Sequence, residues 1–231
     1  MKIIFTNTSN FNIQQPQPAS KFIPEWYKNT KSYLNDEKKP DDLGNTLATI
    51  KRCIPVLDSI TAGYIITLPA DVYVSLRDNG NGEKGQFFQW PSFKLIDFHP
   101  IDQAPEHPMV NQHAYPKFNN PWSIKTPKGY STLFVQPFHR ESEFTILPGV
   151  VDTDTYTGPV NFPFVINDPN FEGYIKEGTP IAQVIPFKRD KWIMELGDSD
   201  DLIEQKNVQS KLSRKFFDRY KNLFWDKKEY R

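Results

Sequence analysis

Asp152 and Asp154 stand one residue apart in Gly149-Val150-Val151-Asp152-Thr153-Asp154. They could act as a general base and its neighbour, because a positioned carboxylate can take a proton from water. The same pair could stabilise a tight turn, since Asp accepts hydrogen bonds from nearby backbone N–H groups. Both readings stay open at this point. Two basic pairs, Lys51-Arg52 and His139-Arg140, could hold a phosphate or belong to solvated surface. Gln183, in Ile181-Ala182-Gln183-Val184, reads as a strand-end hydrogen-bonding residue sooner than as a ligand contact. Three of the four histidines, His99, His107 and His113, fall between residues 77 and 121. Imidazole is a common metal ligand, but their spacing in a Pro-broken segment matches no familiar ligand pattern, and no metal site is assigned. Cys53 is the sole cysteine, which excludes an internal disulfide and a cysteine-based zinc cluster.

The elements that must position these residues read as mainly β. Twenty prolines against eleven glycines, with abundant Ile, Val, Phe, Thr and Tyr, favour short strands separated by turns over a helical bundle. Residues 2–6 suit a first strand, and a Pro-bearing polar loop covers 7–20. Phe22, Ile23, Trp26 and Tyr27 lie at helical spacing, with Pro24 placed to start a short helix. Residues 36–42 read as a solvated loop. The apolar stretches Ile50–Val56 and Ile60–Leu76 come next, the second read as a pair of strands. RDNGNGEKGQ, from residue 77, is a hairpin tip. FFQWPSFKLIDFHP alternates aromatics like a strand with one buried face, and APEHPMVNQHAYPKFNNP reads as a loop. Between 126 and 189 a run of short strands is expected, with no helix longer than about two turns. At the end of the chain Leu212, Phe216, Tyr220, Leu223 and Phe224 form one helical stripe, opposed by Lys and Arg. That stripe should dock on the chain's own core or on a neighbour. The expected division is an N-terminal extension at 1–45, a β-domain at 46–195 with an insertion at 77–121, and a helical tail at 196–231.

The order of several short motifs resembles the core of the dUTPase and dCTP deaminase superfamily. These are the Pro-Lys-Gly-Tyr turn at 127–130 with its strand, the Gly149–Asp154 segment followed by Gly158, then Asn167, and finally Gly178-Thr179-Pro180-Ile181-Ala182-Gln183. The wider pattern, from Thr49 to Ser75 and from Gly178 to Trp192, is also similar to an uncharacterised family of tailed phages and bacteria, which supplies no activity. The superfamily resemblance implies a distorted β-barrel (β-clip) and a homotrimer whose sites draw on neighbouring subunits. It implies that Asp152 orients or deprotonates water and that Tyr156 packs under a deoxyribose. Arg140, Ser142 and Gln183 would then be ligand-binding, and Mg2+ would take part only with a nucleoside triphosphate.

The chain also departs from that pattern. Thr155 is one residue extra before Tyr156, enough to turn a strand residue to the opposite face unless a bulge absorbs it. The expected Arg-Ser-Ser segment is replaced by Phe138-His139-Arg140-Glu141-Ser142-Glu143, whose two carboxylates repel phosphate. Pro180 stands where Arg is usual, Ile65 where an Asp is usual after Ala-Gly-Tyr, and an aromatic, charged tail replaces the Gly-rich closing arm. The resemblance therefore implies a non-catalytic or altered-ligand relative, a scaffold, phage structural component or nucleotide sensor. The alternative is a deoxynucleoside triphosphate hydrolase or deaminase with Asp152 as base.

At 231 residues, 38% hydrophobic and 14% aromatic, the chain can bury a substantial core. Basic and acidic residues balance at 28 each, so no global field draws nucleic acid or an anionic membrane. Nucleic acid is expected only, if at all, through the basic tail 206–231. No stretch approaches the roughly 18 apolar residues of a membrane helix, and the N-terminus lacks a secretory apolar region. A cytoplasmic protein, in a cell or a phage-infected host, is expected.

Overall fold

A computed structural model describes residues 1–34, 47–78, 80, 82, 84–91, 94–103, 107, 114–213 and 218–231. The run from Thr126 to Lys188 folds as expected, as strands without a helix: β9 (Tyr130–Val135), β10 (Phe144–Ile146), β11 (Gly149–Val151), β12 (Phe162–Ile166), β13 (Gly173–Ile175) and β14 (Pro180–Lys188). Alternation drives this. Along β12, Phe162, Phe164 and Ile166 are buried while Pro163 and Val165 are half-buried, the period-two pattern that seats one strand face on a core.

Earlier strands complete the set: β1 (Ile4–Asn7), β2 (Gln17–Pro18), β3 (Tyr64–Thr67), β4 (Val72–Asp78), β5 (Lys84–Gln89), β6 (Ile96–Pro100), β7 (Ala114–Phe118) and β8 (Trp122–Lys125). Among the described residues they form four antiparallel sheets, ordered β11-β9-β14-β3-β2, β10-β12-β7-β6, β13-β4-β5 and β1-β8, and no sheet closes on itself. The architecture is mainly β, with several sheets wrapped about one core. At its centre Phe118 stacks on Phe164 with ring centroids 3.9 Å apart, and Phe144 and Phe88 meet Phe164 edge-on.

The hairpin expected after residue 77 joins β4 to β5, and the Asp78 carboxylate accepts from the N–H groups of Gly80 and Gly82, both at positive φ. Other segments take forms that their sequence leaves open or that differ from expectation. The stretch Ile50–Val56 turns into helix, because Pro55 sits in the first turn of α2 (Ile54–Thr61), where its missing N–H costs nothing. β3 and β4 both exist but enter different sheets, so they are not a pair. The 87–100 segment is two strands, broken after Gln89. The Pro-rich segment contains strand β7, in which Pro116 is tolerated because β12 pairs only with Lys117 and Phe118.

The short helix expected after Pro24 is α1 (Glu25–Asn29). The tail forms α3 (Ser199–Ser213) and α4 (Arg219–Leu223), with Asp218 left-handed at φ 66°. Phe216 lies outside the described residues. Leu212, Tyr220, Leu223 and Phe224 are exposed, so these four do not dock on the chain's own core. Docking is done by the residues after α4. Trp225 Nε1 and Lys228 Nζ reach the Asp58 carboxylate on α2, and the Tyr230 ring meets Tyr64 edge-on. Among the described residues no helix is long and apolar enough to cross a membrane.

Candidate functional site

The turn after β11 is built before its carboxylates are considered. Thr153 is fully buried, and its hydroxyl meets those of Thr126 and Thr132 at 2.8 and 2.7 Å. The Thr153 carbonyl accepts from Thr126 N–H. This threonine cluster anchors residue 153 inward, so its neighbours Asp152 and Asp154 project beside the start of β9.

Asp154 meets two donors there. Gly129, left-handed at φ 86° in the Pro127–Tyr130 turn, presents its N–H to Oδ2 at 2.7 Å. Arg189, the residue after β14, forks onto both oxygens at 2.9 and 2.5 Å. The Arg189 guanidinium, and next the Gly129 N–H, pull the Asp154 carboxyl down to about 2, and the same pairing raises Arg189. The Asp154 side chain is only 3% exposed. Asp152 is held differently. Its Oδ1 accepts from Ser131 Oγ at 2.6 Å and faces Arg189 Nη1 at 2.9 Å, while the side chain remains 60% exposed. One arginine thus bridges both carboxylates, and its backbone N–H donates to Gly129 O, tying the end of β14 to the same turn.

The extra Thr155 is absorbed locally. Thr155 and Tyr156 both donate their N–H groups to Asp152 O, coiling the chain into one compact turn where a strand slip was the alternative. The Tyr156 ring folds back over Gly158, where a side chain would collide with it, and its hydroxyl donates to Pro159 O. Tyr156 is 52% exposed.

Gln183 is 1% exposed with both ends of its amide occupied. Its Oε1 accepts from Phe138 N–H at 3.0 Å, and Nε2 donates to Ser59 O and Ala62 O at 2.8 and 2.7 Å. It ties β14 to the end of α2 and to the loop after β9. That loop carries the remaining candidates. His139 is left-handed at φ 56°, with its ring against Ser59 Oγ and its carbonyl accepting from Trp26 Nε1. Arg140 is half-buried, which lowers its pKa, and no carboxylate pairs with it among the described residues. The Ser142 carbonyl is held by Asn167 Nδ2, whose Oδ1 accepts from Thr145.

These residues form two groups at opposite ends of β9. Asp152 sits at Ser131, and the Arg140–Ser142 loop begins beyond Phe138, up to ~23 Å further along the chain at ~3.3 Å per strand residue. Tyr156 joins the Asp152 group, and Gln183 joins the loop group. Lys51 and Arg52 belong to neither. Lys51 donates to the carbonyls of Tyr27 and Lys28, and Arg52 pairs with Asp218. Among the described residues no three His, Cys, Asp or Glu side chains cluster as a metal site. His99 bonds Gln103, and His113 lies outside the described residues.

Sequence reasoning missed Arg189. The available signal was a pair of carboxylates near a turn with no counter-charge in their own segment.

No protein-family model matches this chain, and no curated protein matches it. Solved structures do. The dUTPase of EIAV is 14% identical, covering 60% of this chain and 85% of its own, at a TM-score of 0.31. The dUTPase of S. aureus phage phi11 is 14% identical, covering 87% and 97% at 0.36, and a mutant of it is described with a structural Mg(II) ion. A mutant dUTPase of Staphylococcus bacteriophage 80alpha, with dUpNHpp, is 13% identical, covering 86% and 88% at 0.36. At such identities a likeness concerns fold alone, so residue roles rest on this chain's own geometry. The solved structures that match in this way are dUTPases, at TM-scores of 0.31 to 0.36.

Proposed function

We propose that this chain is a dUTPase-like β-scaffold that assembles as a homo-oligomer, most simply a trimer, and is non-catalytic or takes an altered ligand. The observation that carries the reading is the arginine clamp. Asp152 spends Oδ1 on Ser131 and Arg189, and Arg189 in turn anchors Asp154 and the end of β14. A carboxylate engaged this way holds a turn together. The second group, Arg140 and Ser142, lies at the far end of β9, so a site using both groups needs a neighbouring copy. Such a protein would act in the cytoplasm, of a cell or of a phage-infected host, as a structural component or a deoxynucleotide sensor.

Two observations favour the alternative of a deoxynucleoside triphosphate hydrolase. Asp152 remains 60% exposed, and Arg140 has no carboxylate partner among the described residues. In that reading Asp152 is the base and Tyr156 reads the sugar. The carboxylates beside Arg189 are committed to it and do not fit a protein-held cation, so Mg2+ would come with the triphosphate.

One experiment separates the readings: pyrophosphate release from each deoxynucleoside triphosphate with Mg2+, run beside thermal shift. The proposal expects no release above a blank. If an altered ligand binds, a hundredfold excess over its dissociation constant adds about 2.7 kcal/mol, or about 5–11 °C. Release by the wild type that Asp152→Asn abolishes would overturn the proposal.

A further inference from the structure

The three-stranded sheet β13-β4-β5 seats Val72, Val74 and Ile175 in the core and turns its other face outward. Side chains alternate along a strand, so the outer face carries Tyr73, Ser75 and Arg77 from β4, Phe87 and Gln89 from β5, and Tyr174 from β13. Tyr174 lies directly opposite Tyr73, with the two rings 4.8 Å apart. Tyr174 and Phe87 are 56 and 39% exposed. Three aromatic side chains thus stand on three adjacent strands, and none belongs to either group of the candidate site.

An orphan polar group lies among them. Ser75, opposite Phe87, is 8% exposed, and its Oγ meets no hydrogen-bond partner among the described residues. Buried hydroxyls are nearly always paired, so this one calls for a group from outside the chain. Cations lie over the rings. The Arg77 guanidinium is 5.2 Å from the Phe87 ring centre, and Lys176 Nζ is 4.2 Å from that of Tyr174. Lys176 is spent on Asp71, and the Asp78 carboxylate on the Gly80 and Gly82 N–H groups. Arg77, and Lys84 beside it at the hairpin end, pair with no carboxylate among the described residues. Against them stands Glu172, exposed just before β13. Two uncommitted cations minus one carboxylate leave the face weakly positive.

We propose that this face binds single-stranded nucleic acid. Bases stack on Tyr174, Tyr73 and Phe87, Ser75 and Gln89 bond to base edges, and Arg77 and Lys84 meet phosphates. The chemistry selects this occupant. Aromatic side chains on neighbouring strands of a sheet stack unpaired bases, whereas a duplex hides its base faces. A base edge offers donors and acceptors to a hydroxyl and an amide, whereas the prolines of a proline-rich peptide offer acceptors alone. The small positive excess suits a ligand held chiefly by stacking. Balanced charge over the whole chain conceals such a patch, so the sequence pointed only to the tail. The inference goes beyond the proposed function and holds whether or not the chain assembles.

Fluorescence anisotropy with a fluorescein-labelled oligothymidylate tests it. The proteins are the wild type, Tyr174→Ala, Phe87→Ala, Ser75→Ala and the tail variant Lys206→Ala/Lys211→Ala, each checked for folding by a circular dichroism melt. Loss of either exposed ring should weaken binding about 5–150-fold, the effect of one stacked base. Log affinity should fall with log salt at a slope of about −1.4, two phosphate contacts at about −0.7 each. Ser75→Ala should weaken binding without lowering the melting temperature, because the hydroxyl bonds nothing within the chain. The tail variant should bind like wild type. No binding at hundreds of micromolar, ring or Ser75 variants that bind as wild type does, or a loss confined to the tail variant overturns the proposal. So does a slope steeper than about −3, the mark of a general electrostatic surface.

Discussion

Replacing Gln183 tests whether the residue aligned with a ligand-binding motif is spent on the fold. Its amide satisfies three backbone groups, Phe138 N–H, Ser59 O and Ala62 O, at a position 1% exposed. Gln183→Ala strands all three away from solvent. At about 0.5–1.5 kcal/mol for each bond, the loss is about 3 kcal/mol. For a chain of this size that lowers the melting temperature by about 6–12 °C. Circular dichroism melts read the shift, and hydrogen exchange at Phe138 should accelerate, since its amide loses its acceptor. Gln183→Glu sharpens the test. A carboxylate cannot donate to Ser59 O and Ala62 O, so burial there raises the folded-state pKa above the unfolded value of about 4.3. A raised folded pKa means that stability is present below the unfolded value and lost as pH rises through the folded one. The gap between Gln183→Glu and wild type should therefore widen from pH 4 to pH 7. A Gln183→Ala melt within ~2 °C of wild type, with a nucleotide-induced shift lost, would refute the structural role.

Three other outcomes are expected. Asp154 titrates at about 2 against 3.8 for a free side chain, so its contribution is present above 3.8 and lost as pH falls toward 2; Asp154→Asn should remove that component from an acid-unfolding curve followed by circular dichroism. Gly63, at φ 68°, closes α2 where an added Cβ would overlap the Val184 carbonyl, and Gly63→Ala should cost more than ~3 kcal/mol in a urea titration. Asp58 receives both Trp225 and Lys228, so Asp58→Asn should release the C-terminal residues and speed trypsin cleavage at Lys227 and Lys228, read by mass spectrometry, with β-sheet content unchanged.

Legibility in the sequence followed the range of the interactions involved. β9 to β14 were readable because alternation and turn residues are local, as with Gly129 in its turn and Phe162, Phe164 and Ile166 facing inward. α2 was left open, because IPVLDSIT is apolar enough for a buried strand and only the placement of Pro55 favours helix. β7 was obscured by Pro116, which matters only where a neighbouring strand asks for its N–H. The tail's contacts to its own core were not legible, because helical periodicity in 212–224 marks other residues than the aromatics after it. Trp225 and Tyr230 dock through single polar and ring contacts, which leave no periodic trace.

The candidate site shows the same limit more sharply. Asp152, Asp154 and Tyr156 were legible as a motif, yet a motif names residue types and says nothing of what neutralises them. The neutralising group is Arg189, distant in sequence and brought alongside because β14 pairs antiparallel with β9, with Lys188 opposite Tyr130. The register makes the next residue of β14 overhang the turn that carries both carboxylates. The same pairing sends the chain outward from Arg189 into the exposed 190–212 segment. One cation therefore serves two purposes. It engages the carboxylate that chemistry would use, and its backbone N–H ties the end of β14 to the Gly129 turn. A chain built around hydrolysis would gain by leaving Asp152 open to water on both oxygens; here Oδ1 is engaged by Ser131 and Arg189, and that engagement is what the proposed non-catalytic reading rests on.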